Sequence, residues 1–176
     1  MTTPGNCSPW PKLCLADNQN GDPMADHSAT ELSPRERNAM MIEKIRGSEV
    51  QPYVEGKHVL RILHMPGRKT GEPRQVPMAV TQLDGERYVC SPSRSRDWTA
   101  NLLAVGVCRI EQDPDVTYRA ELLEDDRAAT VLATYLGNVR PGGVNMWPFP
   151  KDSPTSVIRD HLTEIAIIRL VPVPGS

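Results

Sequence analysis

Asp84-Gly85 limits what this chain can fold into more than any other feature. An Asp-Gly pair accepts the positive φ angles that a two-residue turn between antiparallel strands demands. Before it, Gln75 to Leu83 alternates, with Val76, Met78 and Val80 on one face. After it, Arg87 to Ser91 reads as the returning strand. The chain therefore carries an antiparallel hairpin with one face to bury, and that face needs a partner sheet or helices.

The same texture recurs on both sides of the hairpin. His58 to Met65 is strand-like and ends at Pro66-Gly67. Val107 to Glu111 and Val116 to Leu123 flank Asp113-Pro114, and Glu164 to Val171 supplies a last strand. A helix leads: Ser33-Pro34 with Glu36 makes a capping box, Met40, Met41, Ile42 and Ile45 give an apolar stripe, and Gly47 stops it. A short helix is expected around Trp98 to Ala104. Another should run from about Asp125 to Leu136, with Val131, Leu132 and Leu136 inward. Six strands, mostly in hairpins, with helices leading and interrupting, predict a mainly β, α+β protein. The expected shape is a small closed or half-closed barrel. Strand order is not visible from periodicity.

The 176 residues suit one domain. Residues 1–30 are rich in Pro, Asn, Gly, Asp and Ser and are expected to form a mobile tail, with Trp10, Leu13 and Leu15 as its only anchors. Residues 31–176 form the barrel domain. A net charge of -2 gives no global field for nucleic acid. No apolar run is long enough for an integral membrane segment, and no signal-peptide core is visible. The cysteines Cys7, Cys14, Cys90 and Cys108 make no C-x-x-C pair, and the histidines are scattered, so no metal site is expected. The expected setting is cytoplasmic, with reduced thiols.

Two stretches carry chemistry. In Met65 to Met78, Arg68, Lys69 and Arg74 stand against one anion, Glu72, in a turn pinned by two glycines and two prolines. Glycine-permitted turns can aim successive N–H groups into one concavity, Thr70 adds a hydroxyl, and Arg offers a planar fork. This is the composition of an anion cradle. It equally fits a hairpin turn with solvated charges. In Cys90 to Leu102 a strand hands over to a helix whose N-cap is Ser95 or Asp97, flanked by Arg94 and Arg96. Trp98 and Asn101 share a face of that helix. Trp98 is either a core anchor or a cofactor contact.

Taken in order, Gly67-Arg68-Lys69-Thr70-Gly71-Glu72-Pro73-Arg74, Val76-Pro77, Asp84-Gly85, Tyr88-Val89, Ser91-Pro92, Asp97-Trp98 and Asn101-Leu102 resemble the deazaflavin-dependent nitroreductases. These actinobacterial proteins use reduced coenzyme F420 on a fold related to the FMN-binding split barrel. The resemblance runs from Ser33 to the C-terminus and implies a six-stranded split β-barrel of antiparallel Greek-key type with flanking helices. It implies that Arg68, Lys69, Thr70 and Arg74 hold the phosphate and acidic tail of the coenzyme. Val76, Pro77 and Met78, with the backbone as far as Val80, would line its ring. Ser91 would lie near the ring, and Trp98 and Asn101 would close the groove. The best-known nitroreductase has a Lys and paired glycines after its third strand. Here the segment is Ser93-Arg94-Ser95-Arg96, so Arg94 and Arg96 stand in for those phosphate contacts.

The expected activity is hydride transfer from reduced coenzyme F420 to a small electron-poor acceptor such as a quinone, an enone or a nitro compound. The coenzyme carries the chemistry. Tyr135, Ser91 or water would protonate the product, although Tyr135 also fits a packed helix position. Residues 137–154 form a Pro/Gly-rich loop in which Asn145-Met146-Trp147-Pro148-Phe149 is expected to act as a substrate lid. Two rivals remain: the same fold using FMN, and a non-enzymatic protein that carries the cofactor or a lipid. Split barrels often pair across a barrel face, so a homodimer is compatible with this reading.

Overall fold

The computed structural model describes residues 32–139 and 146–173. The expected N-terminal tail, Cys7, Cys14 and Asn145 lie outside the described residues. Ten elements follow one another: α1 (Pro34–Arg46), β1 (His58–Pro66), β2 (Pro73–Leu83), β3 (Glu86–Ser91), α2 (Asp97–Val105), β4 (Val107–Ile110), β5 (Thr117–Leu123), α3 (Asp126–Asn138), α4 (Thr155–Asp160) and β6 (Ala166–Val173). The six strands close into an antiparallel barrel in the order β1-β2-β3-β6-β5-β4. Three strands joined by hairpins, with β4 returning beside β1, make a Greek key. The α+β barrel expected from the sequence is the fold observed.

The turns obey the local chemistry. Asp84 (φ 52°) and Gly85 (φ 74°) are both left-handed, as the tight β2–β3 connection requires. The Glu55 carboxylate accepts from the backbone N–H groups of Asp84 and of Gly85, the latter at 3.2 Å, and these bonds hold its pKa below the usual range. Arg127 of α3 grips the same turn through Asp84 at 2.6 Å. At the start of α1 both halves of the capping box form, with Ser33 N donating to Glu36 at 2.7 Å.

Alternation sorts the side chains into two cores. Leu63, Met65, Met78, Val80, Val89, Ile110, Ile168 and Leu170 fill the barrel with Leu102 of α2. Tyr88, Cys90, Ile165 and Ile167 point outward and are covered by Ala128, Val131, Leu132 and Leu136 of α3 and Ile158 of α4. A fully buried Leu or Ile contributes about 1.5–3 kcal/mol, so the outer layer is as much a core as the lumen.

Several details depart from the sequence reading. On α1 only Ile42 is buried and Met40 is 60% exposed, since the helix lies along the barrel by one narrow stripe. α4 has six residues, too few for a periodic signal, and was not expected. β2 starts earlier than Gln75, at Pro73, because the hairpin register runs to Pro66↔Pro73. Trp147 and Phe149 are 7% and 6% exposed and belong to the outer core, so this part of the expected lid is packed structure. Among the described residues no helix is long and apolar enough to cross a membrane, and no group of His, Cys, Asp and Glu could hold a metal ion.

A salt-linked clamp holds α1 to the sheet. Arg46 makes two hydrogen bonds of 2.8 Å to Glu111, whose carboxylate also meets His64 Nε2 at 2.8 Å. Chiefly through Arg46, the Glu111 carboxyl falls from 4.5 to about 2. A carboxylate depressed in the folded state stabilises the fold above its unfolded pKa, and that contribution is lost as pH falls through the folded value. We therefore expect wild-type stability to drop more steeply than that of Glu111→Gln between pH 4.5 and about 2. Urea midpoints measured across that window check this. Parallel slopes for the two proteins would remove the clamp from the account.

Candidate functional site

The cradle loop is a tight hairpin between β1 and β2. Gly67 N donates to Glu72 O and Gly71 N to Gly67 O, both at 2.8 Å, and Gly71 sits at φ 70°. A Cβ on Gly67 would stand 3.3 Å from Arg74 Nε and 3.4 Å from Glu72 O, so glycine lets the arginine head lie against the loop backbone. Thr70 Oγ1 accepts from Glu72 N at 3.3 Å. Arg74 reaches Glu72 at 3.2 Å but stays half-exposed. Among the described residues no hydrogen bond or ion pair engages Lys69, which is exposed beside it.

The loop is clipped to the first turn of α2. Arg68 donates to Asn101 Oδ1 from its backbone at 3.2 Å and from its guanidinium at 2.8 Å. It also reaches the Asp97 carbonyl at 3.3 Å and the Asp97 carboxylate at 3.6 Å. The two sequence stretches that carry chemistry are therefore one structural unit. The N-cap of α2 is Arg96, without a side-chain cap bond, rather than Ser95 or Asp97. Ser95 is drawn instead to Ser93, hydroxyl to hydroxyl at 2.8 Å, and Asp97 already lies within the helix. The uncapped amides and the Arg96 charge leave this end electropositive.

On the other side of that helix start stands Tyr135. Arg96 extends towards Met146 Sδ at 3.8 Å, and its charge reaches the Tyr135 phenol. Burial, with Cys90 nearby, pushes the phenol up to about 12, so it is protonated at neutral pH. No hydrogen bond engages the Tyr135 hydroxyl among the described residues. Its ring packs between His58, centroids 5.4 Å apart, and Trp147, 6.1 Å apart.

The remaining expected residues fall into two groups. Val76 and Pro77 are half-buried on β2 and Met78 is in the barrel core. Trp98 is half-buried against the lumen cluster. Ser91 is fully buried, donates to Ser93 O at 2.8 Å and accepts from Thr99 at 2.8 Å, so its hydroxyl ties β3 to α2. Arg94 is spent on the chain itself: it donates to Ile165 O at 2.9 Å and to Leu162 O, and pairs with Glu124 at 2.8 Å. Sequence reasoning missed Cys90 and His58 as neighbours of Tyr135. The signal for Cys90 was available, because it has the outward parity of Tyr88 on β3.

No family model matches this chain, and no curated protein matches it. Solved structures similar to it include a heme binding protein from Mycobacterium smegmatis, at 20% identity over 65% of this chain with a TM-score of 0.44. This chain spans 46% of that protein's length. A general stress protein 26 from Bacillus anthracis str. Sterne is 13% identical over 65% of this chain and 80% of its own, with a TM-score of 0.42. An F420 reductase is 15% identical over 73% of this chain and 98% of its own, with a TM-score of 0.40.

Proposed function

We propose that this protein is an oxidoreductase that uses reduced coenzyme F420 to reduce a small electron-poor acceptor, a quinone, enone or nitro compound. The observation that carries the reading is the Arg68–Asn101 clip. It joins the cationic loop to the electropositive start of α2, the two stretches on which the family resemblance rests. The residues present suit an anionic tail: Lys69 is unengaged, Arg74 is half-exposed, and Thr70 and the loop amides add donors. Arg96 and Trp98 extend the binding surface along α2, with Arg94 and Ser91 supporting the turn beneath. The β2 backbone from Pro77 to Val80 would line a flat ring, with half-buried Val76 and Pro77 on opposite faces of the strand and Met78 in the barrel core beneath. When bound, the coenzyme supplies the hydride. The chain positions it, keeps water out, and offers a proton at Tyr135 Oη, which its raised pKa keeps in place at neutral pH.

Titration with coenzyme F420, FMN and FAD, followed by acceptor-dependent oxidation, tests this directly. Lys69→Ala and Arg74→Ala should each weaken F420 binding about tenfold or more, because charge-assisted hydrogen bonds contribute about 1.5–3 kcal/mol. Added salt should weaken binding further. Folded variants with unchanged affinity would sink the cradle. Preference for FMN would move the protein to the flavin-dependent rival, and tight binding without turnover would make it a carrier.

A further inference from the structure

The largest cavity, about 480 Å³, lies between the end of α1 and the first half of β1, apart from the cradle. Its β1 lining comes from both faces of the strand. His58 and Leu60 have the outward parity, and Val59 and Arg61 the inward one. The cavity is therefore a slot along the edge of β1 rather than a pocket over one face. Ile45, Val50, Val59 and Leu60 make it largely apolar, with residues 48–51 and Gln112 along it. Arg61 crosses the slot, donating to Leu60 O at 2.8 Å and to Gln51 O.

The edge inside this slot has no strand beside it. Ile62 N donates to Gln112 Oε1 at 3.1 Å, and Ile62 O accepts from Glu111 N at 2.9 Å, so the Ile62 backbone faces β4. Alternation turns the backbones of Leu60 and His58 the same way. β4 pairs only with Leu63 and His64 and stops short of them. An apolar slot beside an open strand edge has the shape for an extended peptide.

We propose that the slot is filled by this chain's own segment Lys12–Leu15, added to the β1 edge as a short strand. In an extended segment Leu13 and Leu15 share one face, which enters the slot. Three observations favour this occupant. From Leu15 to Leu32 the chain spans about 20–25 Å as a coil. That matches the length of α1, 13 residues or about 20 Å, which the chain must retrace to reach the slot. A linker matched to its span gives the highest effective concentration. Second, the intervening residues carry Asp17, Asp22, Asp26 and Glu31 with no Lys or Arg, whereas α1 carries Arg35, Arg37, Lys44 and Arg46 against Glu36 and Glu43. Third, Met40, 60% exposed, precedes Lys44 and Ser48 of the slot at helical spacing, so the α1 stripe leading there offers apolar contact. The inference does not rest on the deazaflavin reading.

NMR of the full chain tests it. Cys90 and Cys108 are buried, so Cys7→Ser leaves Cys14 as the thiol to carry a nitroxide. The nitroxide should broaden the amides of His58, Leu60 and residues 49–51 and leave the β5–β6 ladder sharp. Leu13→Asp with Leu15→Asp should abolish that broadening. The same pair should speed hydrogen exchange at the His58 and Leu60 amides about tenfold or more. Val50→Asp, on the slot wall at a position 59% exposed, should do the same with the tail intact. Mixing nitroxide-bearing chains with isotope-labelled chains that lack it separates the occupants. Broadening that crosses between chains would give the slot to a second copy. That outcome, sharp amides throughout, or wild-type exchange in both variants would each overturn the proposal.

Discussion

Replacing Trp98 with alanine is expected to slow hydride transfer on the order of a hundredfold while F420 affinity changes far less, because hydride transfer demands near-contact geometry. Trp98 is half-buried, with one side on the lumen cluster. It sits in the same first turn that delivers Asp97 and Asn101 to Arg68. Losing the indole would let a bound ring shift without disturbing the cationic loop that holds the tail. A purely structural Trp98 predicts otherwise: truncating a core Trp costs about 3–5 kcal/mol, and stability, affinity and rate would fall together. Trp98→Phe keeps most of the packing and separates the two. Thermal stability, affinity and single-turnover transfer should be measured on the same preparations. A Phe variant with the wild-type rate, beside an Ala variant that fails only through instability, would return Trp98 to the core.

The second large effect is expected at the end of the barrel. Asp113 Oδ2 accepts from Tyr53 and Tyr118 hydroxyls, each at 2.9 Å, and lies 3.4 Å from Arg87. Arg87 in turn stands 4.1 Å from the Tyr53 ring centroid. Burial, then the Asp113 charge, pushes the Tyr53 phenol up to about 12, and the Tyr118 phenol is raised by burial first. Asp113→Ala leaves two phenols without their acceptor and Arg87 without its counter-charge, although the guanidinium still donates to the Tyr118 hydroxyl. The expected loss is about 3 kcal/mol, the lower end of the range for breaking a buried pair, because 27% of the Arg87 side chain still meets water. Asp113→Asn keeps one acceptor oxygen and should lose less. Urea unfolding reads both, and an unmoved midpoint in Asp113→Ala would show that the cluster is decorative.

Much of the barrel could be read from its residues because short-range rules decide it. Asp84-Gly85 can hardly be anything but a tight hairpin, and the alternation from Val76 to Val80 sets which face is buried. Ser33 and Glu36 announce a helix start by their spacing alone. The barrel-end cluster was not read, though part of its signal was present. Arg61 has the inward parity of Leu63 and Met65, and Arg87 that of Val89. Charged residues at inward positions are paired or stacked when buried, and their partners Tyr53 and Asp113 come from irregular segments that carry no periodicity. Trp147 and Phe149 were read as a lid because an apolar loop looks alike whether it covers a ligand or a sheet. Only the outward face of β3 and β6, with α3 laid over it, decides between them. The site was legible as two stretches but not as one unit. The Arg68–Asn101 bond spans 33 residues, and nothing local encodes it.

The short ladder between β1 and β4 has a consequence for how the protein ages and associates. A complete ring offers no strand edge to a neighbour. This ring is fastened at one junction by the Leu63↔Ile110 and His64↔Arg109 pairs, with Gln112 and Glu111 extending it by a side-chain and a backbone bond to Ile62. The lowest-energy opening should part the ring there, so deuterium should enter the β1 and β4 amides along that junction before it reaches the long β5–β6 ladder. Each such breath adds Ile62 and Leu63 to the part of the β1 edge that β4 leaves unpaired, a longer template for another chain, which makes this junction the place where storage aggregates would start.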